Sequence, residues 1–340
     1  MTRTAALALF CTLLVLAACS DATGPSSPRV WQSATVTFQD TSLVIEAVTY
    51  EVGGLTIKGQ LCRPAAPGQH PLVLWNHGGW GGLGDEFNRA TSLCANLARI
   101  GYAVIESSYR GEDGSAGSIE ICAGEVDDAY RILQLARTEQ FVDTARVAIL
   151  GGSHGGCITY GVLARSAAAR RAVIVAGPTD LAATWRSLAD SVVSDSASSR
   201  FLAWDFIVHD TRIYVGGTPD SQPAEWARRG MLQRADAISA WPGKILIQHG
   251  VNDDIVLLAQ SCAMAALLPG TVAFHVDGNG QIVTAAPAAC AGSGLTWSAG
   301  PVPTDWTGSR YLVVYDSLTH DGGPNQQRQN LDLLNFTLGM

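Results

Sequence analysis

Charge is scarce in this chain, and what there is leans acidic: 15% of the 340 residues are Asp, Glu, Lys or Arg, with a formal net charge of −8. No cluster of lysine or arginine stands out along the chain. Neutralising phosphates needs a concentrated basic surface, so nucleic acid is not an expected partner, while a small or neutral ligand stays open. C-x-x-C and H-E-x-x-H are both missing, which leaves structural zinc and zincin chemistry without support, and no metal is expected. Tandem repeats are also lacking. What is plentiful is apolar residues, 47% of the chain. That is enough for a substantial core and is not the composition of a disordered protein. One domain of roughly 300 residues, or two small ones, fits.

The first residues read as an export signal. Arg3 supplies a positive end, and Ala5 to Leu16 is an apolar run too short to span a bilayer. The run closes on Leu16-Ala17-Ala18-Cys19, which resembles the lipobox of bacterial lipoproteins, where the cysteine is acylated. The expected division is a lipoprotein-type signal over residues 1–18, a polar tether over 19–30 and a folded domain over 31–340. Cys19 is the expected lipidation site, attaching the chain to a bacterial envelope membrane, on the outer membrane or facing the periplasm. A plain cleaved signal, with Cys19 incidental and the protein secreted, is the alternative. Beyond the signal and tether remain Cys62, Cys94, Cys122, Cys157, Cys262 and Cys290. An even number in an oxidising compartment predicts disulfides, although the sequence does not choose the pairing.

Ala34 to Phe38, Leu43 to Tyr50 and Leu55 to Leu61 alternate apolar and polar residues between turns, as antiparallel strands with one buried face do. Short apolar runs follow: Pro71 to Trp75, Tyr102 to Glu106, Val147 to Leu150, Ala172 to Val175, Lys244 to Gln248 and Tyr311 to Tyr315. Helical stretches lie between most of them, including Asn88 to Arg99, Glu125 to Ala136 and Gly156 to Ala169. The alternation predicts an α/β fold: a mostly parallel central sheet with helices on both faces and antiparallel strands at its start. Two long segments, about 181–241 and 272–310, break the rhythm and read as insertions. The first carries Trp185, Trp204, Trp226 and Trp241. It forms either a cap over a site or simply part of the helix-sheet packing.

Val147 to Leu150 runs into Gly151-Gly152-Ser153-His154-Gly155, and a helical stretch follows. This is the strand-turn-helix setting of a nucleophile elbow, in which glycines permit close backbone approach and the serine projects above the sheet. A serine hydroxyl needs an imidazole to take its proton and a carboxylate to hold that imidazole's tautomer. Lys244 to Gln248 ends in His249-Gly250-Val251-Asn252-Asp253-Asp254, which offers Asp253, in preference to Asp254, at a strand's end. Among the seven histidines, His320 follows the last strand and precedes the closing helix, so it is the expected base, with His275 the alternative. The oxyanion calls for two donors. One is the backbone N–H of His154. The other is that of Gly79 or Trp80, in the glycine-rich strand end Asn76-His77-Gly78-Gly79-Trp80, where His77 is expected to brace the loop. A rival is present in the same stretch: Gly79-Trp80-Gly81-Gly82-Leu83-Gly84 fits G-x-G-x-x-G, and Glu106 stands where a ribose-binding acid would. A dinucleotide-dependent oxidoreductase would leave the elbow and His320 unexplained.

Together these residues resemble the catalytic domain of the prolyl oligopeptidase family, within the α/β-hydrolase superfamily, over roughly residues 70–340. Tyr109-Arg110-Gly111, Val126-Asp127-Asp128, Val142-Asp143 leading to Arg146, and Tyr214 to Pro219 add to the likeness. So does the acid loop His249 to Val256, in which the resemblance makes the first aspartate catalytic. Dienelactone hydrolases and carboxylesterases share much of the pattern. The resemblance implies a serine hydrolase cleaving ester or peptide bonds through an acyl-enzyme, without a cofactor, on a small ester or peptide substrate. Departures from the family are expected: no propeller ahead of the sheet, no paired-glutamate segment, and Arg229-Gly230-Met231-Leu232 in place of R-S-P. A carboxylesterase is the alternative activity, and a non-catalytic lipid-anchored binding protein is a remote one. Oligomeric state is not legible.

Overall fold

Apolar runs with no polar alternation must be buried on both faces, and the computed structural model shows how the chain does this. It describes residues 31–35, 40–79, 82–83, 92–191 and 199–339. The expected signal, Cys19 and the tether lie outside the described residues. Strands β1 (Gln32–Thr35), β2 (Leu43–Val52) and β3 (Leu55–Pro64) form an antiparallel series. Then come β4 (His70–Asn76), α1 (Leu93–Arg99), β5 (Ala103–Ser107), α2 (Glu125–Ala136), β6 (Val142–Gly152), α3 (His154–Leu163) and β7 (Arg171–Val175). Helices α4 (Leu181–Ala189), α5 (Ser199–Trp204), α6 (Thr211–Val215), α7 (Pro223–Arg228) and α8 (Ala235–Ala240) precede β8 (Lys244–Gly250) and α9 (Leu258–Leu267). Strands β9 (Val272–Val276), β10 (Ile282–Val283), β11 (Thr296–Trp297) and β12 (Arg310–Tyr315) and helix α10 (Gln326–Leu338) complete the order.

The strands join one sheet in the order β1-β2-β3-β5-β4-β6-β7-β8-β12-β9-β10, with β11 on β9. From β5 to β9 every neighbouring pair is parallel. Side-chain alternation sorts each central strand onto two cores. In β6, Val147 and Ile149 face the core that holds Ile132 of α2 and Ile158 of α3, whereas Ala148 and Leu150 face Leu97 of α1 and Phe336 of α10. The result is the α/β-hydrolase architecture, with helices on both faces and antiparallel strands at the start.

The two long segments behave differently. Among its described residues, the segment 181–241 holds the α-helices α4 to α8 with shorter helical turns between them, and it reaches the cavity described below through Leu181, Thr184, Ala203, Phe206 and Ile207. Its tryptophans pack inside the segment and onto the core instead: Trp226 and Trp241 are fully buried, and Trp241 Nε1 donates to Ala167 O at 2.7 Å. The second segment, 272–310, opens on regular structure. Val272–Val276 is strand β9, paired parallel with β12. This short strand, apolar except for His275 and mostly buried, is disguised by the Gly- and Ala-rich stretch that follows.

The six cysteines pair as Cys62–Cys94, Cys122–Cys157 and Cys262–Cys290. The first joins β3 to α1 across 32 residues of sequence, away from the cavity. Loop-closure entropy for such a span is worth about 3 to 4 kcal/mol. Replacing both Cys62 and Cys94 by alanine is therefore expected to lower the urea unfolding free energy by that amount while leaving kcat of the folded protein unchanged.

Candidate active site

The local chain forces Ser153 into an unusual place. It sits at φ 51, ψ −123 between β6 and α3, a left-handed conformation that costs a non-glycine residue energy and persists only when its surroundings hold it. Two glycines make the turn possible. A Cβ on Gly151 would lie 2.2 Å from Gly155 O, and one on Gly155 would lie 1.9 Å from Asn76 O. The elbow is thereby pressed against the end of β4.

Strands β6, β7, β8 and β12 are consecutive and parallel, so the loops after them open on one edge of the sheet. The loop after β8 supplies Asp253 and the loop after β12 supplies His320. Ser153 Oγ donates to His320 Nε2 at 2.9 Å, and His320 Nδ1 donates to Asp253 Oδ2 at 2.8 Å. A carboxylate only accepts, so this tautomer follows from the partners. Asp253 Oδ1 accepts the N–H groups of Ile255 at 3.0 Å and Val256 at 2.9 Å. Asp253 thus caps the turn after β8 as well as holding His320. His275, the alternative base, is engaged elsewhere, 2.8 Å from Asp316 Oδ1.

Burial works against the charge on Asp253, but the hydrogen bonds from His249 and His320, with their charges, outweigh it and hold the carboxyl far below the usual carboxylate range. Burial likewise pulls His320 toward its neutral form. The bond to Asp253 and its charge, with Asp321 and Asp254, overcome this and raise its pKa above the ordinary 6.5. The pair is therefore set as ionised carboxylate and basic imidazole.

His249 escaped the sequence reading, which placed it merely within the strand leading to the acid. It is fully buried, with Nε2 donating to Val256 O at 2.7 Å and lying 3.2 Å from Asp253 Oδ2, and Nδ1 lies 2.7 Å from Ser261 Oγ. Its signal was the four-residue spacing to Asp253 around a tight strand end.

On the other side of Ser153 lies the loop after β4. A Cβ on Gly78 would meet Gly152 O at 2.9 Å and Ser153 Cβ at 3.2 Å, so only glycine lets this loop approach Ser153 so closely. The His154 N–H opens helix α3, and Gly79 stands at φ 71 nearby. Trp80 lies outside the described residues. His77 stacks on Tyr109 at 4.3 Å, with Nδ1 3.1 Å from Gly78 O. Burial, only partly offset by that carbonyl, lowers its pKa to about 4, so it braces the loop as a neutral ring. Glu106 is also buried, and Gln60 Nε2 donates to it at 2.5 Å, so this acid is engaged within the sheet.

A cavity of about 550 Å³ opens beside Ser153 and His320, walled by Ile121, Leu181, Phe206, Ile207, Ile255 and Val256. Cys122 is also part of the wall. The ligand atoms of Cys122, His154 and Cys157 lie within 4.8 Å of one another, a spacing a metal could use, but the two sulfurs are bonded to each other.

An elbow serine in line with an imidazole and a carboxylate, on this sheet, is the constellation of a serine hydrolase, and this chain is one. Residues 86–273, more than half of the chain, match the prolyl oligopeptidase family model. The chain belongs to that family. A peptidase from Bacillus subtilis (strain 168), YtmA, itself uncharacterized, is 26% identical over 214 residues, covering 63% of this chain and 75% of that one. Human acylamino-acid-releasing enzyme is 31% identical over 144 residues, 39% of this chain but only 19% of the human protein. Among solved structures, the acetyl xylan esterase of Paenibacillus sp. R4 shares the fold with a TM-score of 0.58 at 17% identity, covering 91% of this chain and 89% of that one.

Proposed function

We propose that the protein hydrolyses ester or amide bonds of small neutral substrates through an acyl-enzyme on Ser153. The observation that carries this is the unbroken Ser153–His320–Asp253 chain, with its 2.9 and 2.8 Å bonds. Ser153 Oγ attacks the carbonyl carbon while His320 Nε2 accepts its proton, and Asp253 stabilises the imidazolium that forms. The His154 N–H, with that of Gly79 or Trp80, receives the oxyanion. His320 then protonates the departing alcohol or amine. In the second half-reaction it deprotonates a water that releases the acid.

The apolar walls of the cavity suit an uncharged acyl group. Two readings of the scissile bond each have support. Membership in the prolyl oligopeptidase family, with a peptidase and an acylamino-acid-releasing enzyme among its relatives, favours amide cleavage. The likeness to an acetyl xylan esterase over nearly the whole of both chains favours esters.

A fluorophosphonate probe tests the shared mechanism. Stoichiometric labelling of the native protein on Ser153 is expected, and an unlabelled folded protein would overturn the proposal. A parallel panel of short-chain p-nitrophenyl esters and N-acylated aminoacyl amides then separates the readings. Measurable amide turnover supports the peptidase, whereas rapid ester turnover with every amide inert removes it.

A further inference from the structure

We propose that the His154 side chain is a positioning residue, whose neutral ring braces the oxyanion loop against the disulfide-bonded wall of the cavity. The inference rests on the acyl-transfer reading above and concerns a part of that site to which the triad assigns no role. Its first support is hydrogen-bond logic. His154 Nδ1 lies 3.1 Å from Gly79 O, and the Cys122 N–H donates to His154 Nε2 at 3.3 Å. A carbonyl can only accept and an amide N–H can only donate. Nδ1 therefore carries the proton and Nε2 keeps its lone pair. One ring spans two loops, and only this tautomer of the neutral form satisfies both.

The second support lies in the loop it grips. Ile121 and Cys122 stand at φ 53 and 57, two successive non-glycine residues in the left-handed region. Such a segment holds its shape only if fastened. Glu125 accepts the N–H groups of Glu120, Ile121 and Ala123. The Cys122 N–H, in the middle of that run, goes to His154 instead. Cys122 is also bonded through sulfur to Cys157, three residues beyond His154 on the same helix. Helix α3 thus holds Cys122 twice, once through sulfur and once through the imidazole. Ile121 and Cys122 in turn form cavity wall. From that wall, a continuous path of bonds runs through His154 to Gly79, beside the nucleophile.

The third support is the environment. His154 is buried, and the ring of Tyr109, already stacked on His77, meets it edge-on at 5.9 Å. Burial, against a smaller contribution from the Gly79 carbonyl, lowers its pKa to about 4, so the required neutral form prevails at working pH. In the transition state an oxyanion donor must already stand in place. Loosening the loop therefore taxes the chemical step more than the binding of substrate.

His154→Phe keeps a ring and loses both bonds, whereas His154→Gln restores one donor and one acceptor. For a p-nitrophenyl ester, His154→Phe is expected to lower kcat about tenfold to a hundredfold, with KM changed less than threefold. Its affinity for phenylboronic acid, which mimics the tetrahedral intermediate, should fall by a similar factor. His154→Gln should recover most of both. A merely structural role would lower the unfolding midpoint and leave kcat and boronate affinity of the folded protein within threefold of the wild type, and that result overturns the proposal. Nitrogen NMR of the wild type is a readout independent of any variant: at pH 7 the Nδ1–H tautomer is expected, and an Nε2–H tautomer or an imidazolium overturns it. Failure of the underlying mechanism looks different, since the wild type itself would then show neither turnover nor fluorophosphonate labelling.

Discussion

Ser153→Ala is expected to lower kcat by on the order of 10⁴- to 10⁶-fold, leaving only the residual acceleration of binding and oxyanion contacts. The substitution removes one oxygen from a site whose backbone is already set. Ser153 N donates to Val175 O at 2.9 Å, and Ser153 O receives the N–H of Gly156 at 2.8 Å. Neither bond involves the side chain, so the elbow should keep its shape. Alanine also tolerates the local φ of 51 no worse than serine does. Loss of turnover should accordingly come with an unchanged unfolding midpoint and substrate affinity. The variant should also take up no fluorophosphonate. Turnover within tenfold of the wild type, in protein free of contaminating hydrolase, would mean that another group attacks the carbonyl. The purity control matters because a trace of contaminating wild-type enzyme would set a false floor at such ratios.

How far the site could be read in advance follows from how local each part is. The elbow was legible because its requirements are contiguous in the sequence: an apolar strand, glycines at 151 and 155, and a helix directly after. Asp253 and His320 were legible by chain order, since each lies just beyond a short apolar run that had to be a central strand. The sheet was legible for the same reason, with Glu125–Ala136 exact as a helix. What escaped was set by packing between distant segments. Strand β9 is five residues long and joins a stretch that looks irregular, so its parallel pairing with β12 is visible only in three dimensions. The cysteine pairing depends on which loops meet, and Cys122 meets Cys157 only because the loop before α2 folds onto α3. Besides Asp253, His249 meets Val256 and Ser261, which come close only because the chain turns back after β8. A histidine in a strand end gives no local sign of that.

Asp253→Asn is expected to lower kcat on the order of 10⁴-fold, and the reason is the direction in which the amide must face. The carboxylate has two sides. Oδ1 accepts two rigid backbone donors, from Ile255 and Val256, while Oδ2 accepts His320 Nδ1 and has His249 Nε2 close by. An asparagine that turned its NH₂ toward the backbone pair would lose two hydrogen bonds and set donors against donors. The amide nitrogen is therefore expected on the His320 side. There it must donate, so Nδ1 of His320 gives up its proton and Nε2 takes one. Nε2–H then points at Ser153 Oγ, where a lone pair is needed to accept the serine proton. The fold and the distances survive, but the base faces its nucleophile with the wrong atom. The pH profile provides a second reading of the same change. In the wild type the working form is neutral His320, so kcat/KM should rise with pH, tenfold per unit on its acid side, with an inflection above 6.5. Asp253→Asn removes the charge that holds the inflection up, while burial, which pushes it down, remains. The inflection should move toward lower pH as kcat falls. A variant whose rate drops with the inflection unmoved would assign Asp253 an orienting role alone, and one that retains rate within tenfold would place the catalytic carboxylate elsewhere, with Asp254 the next residue to replace.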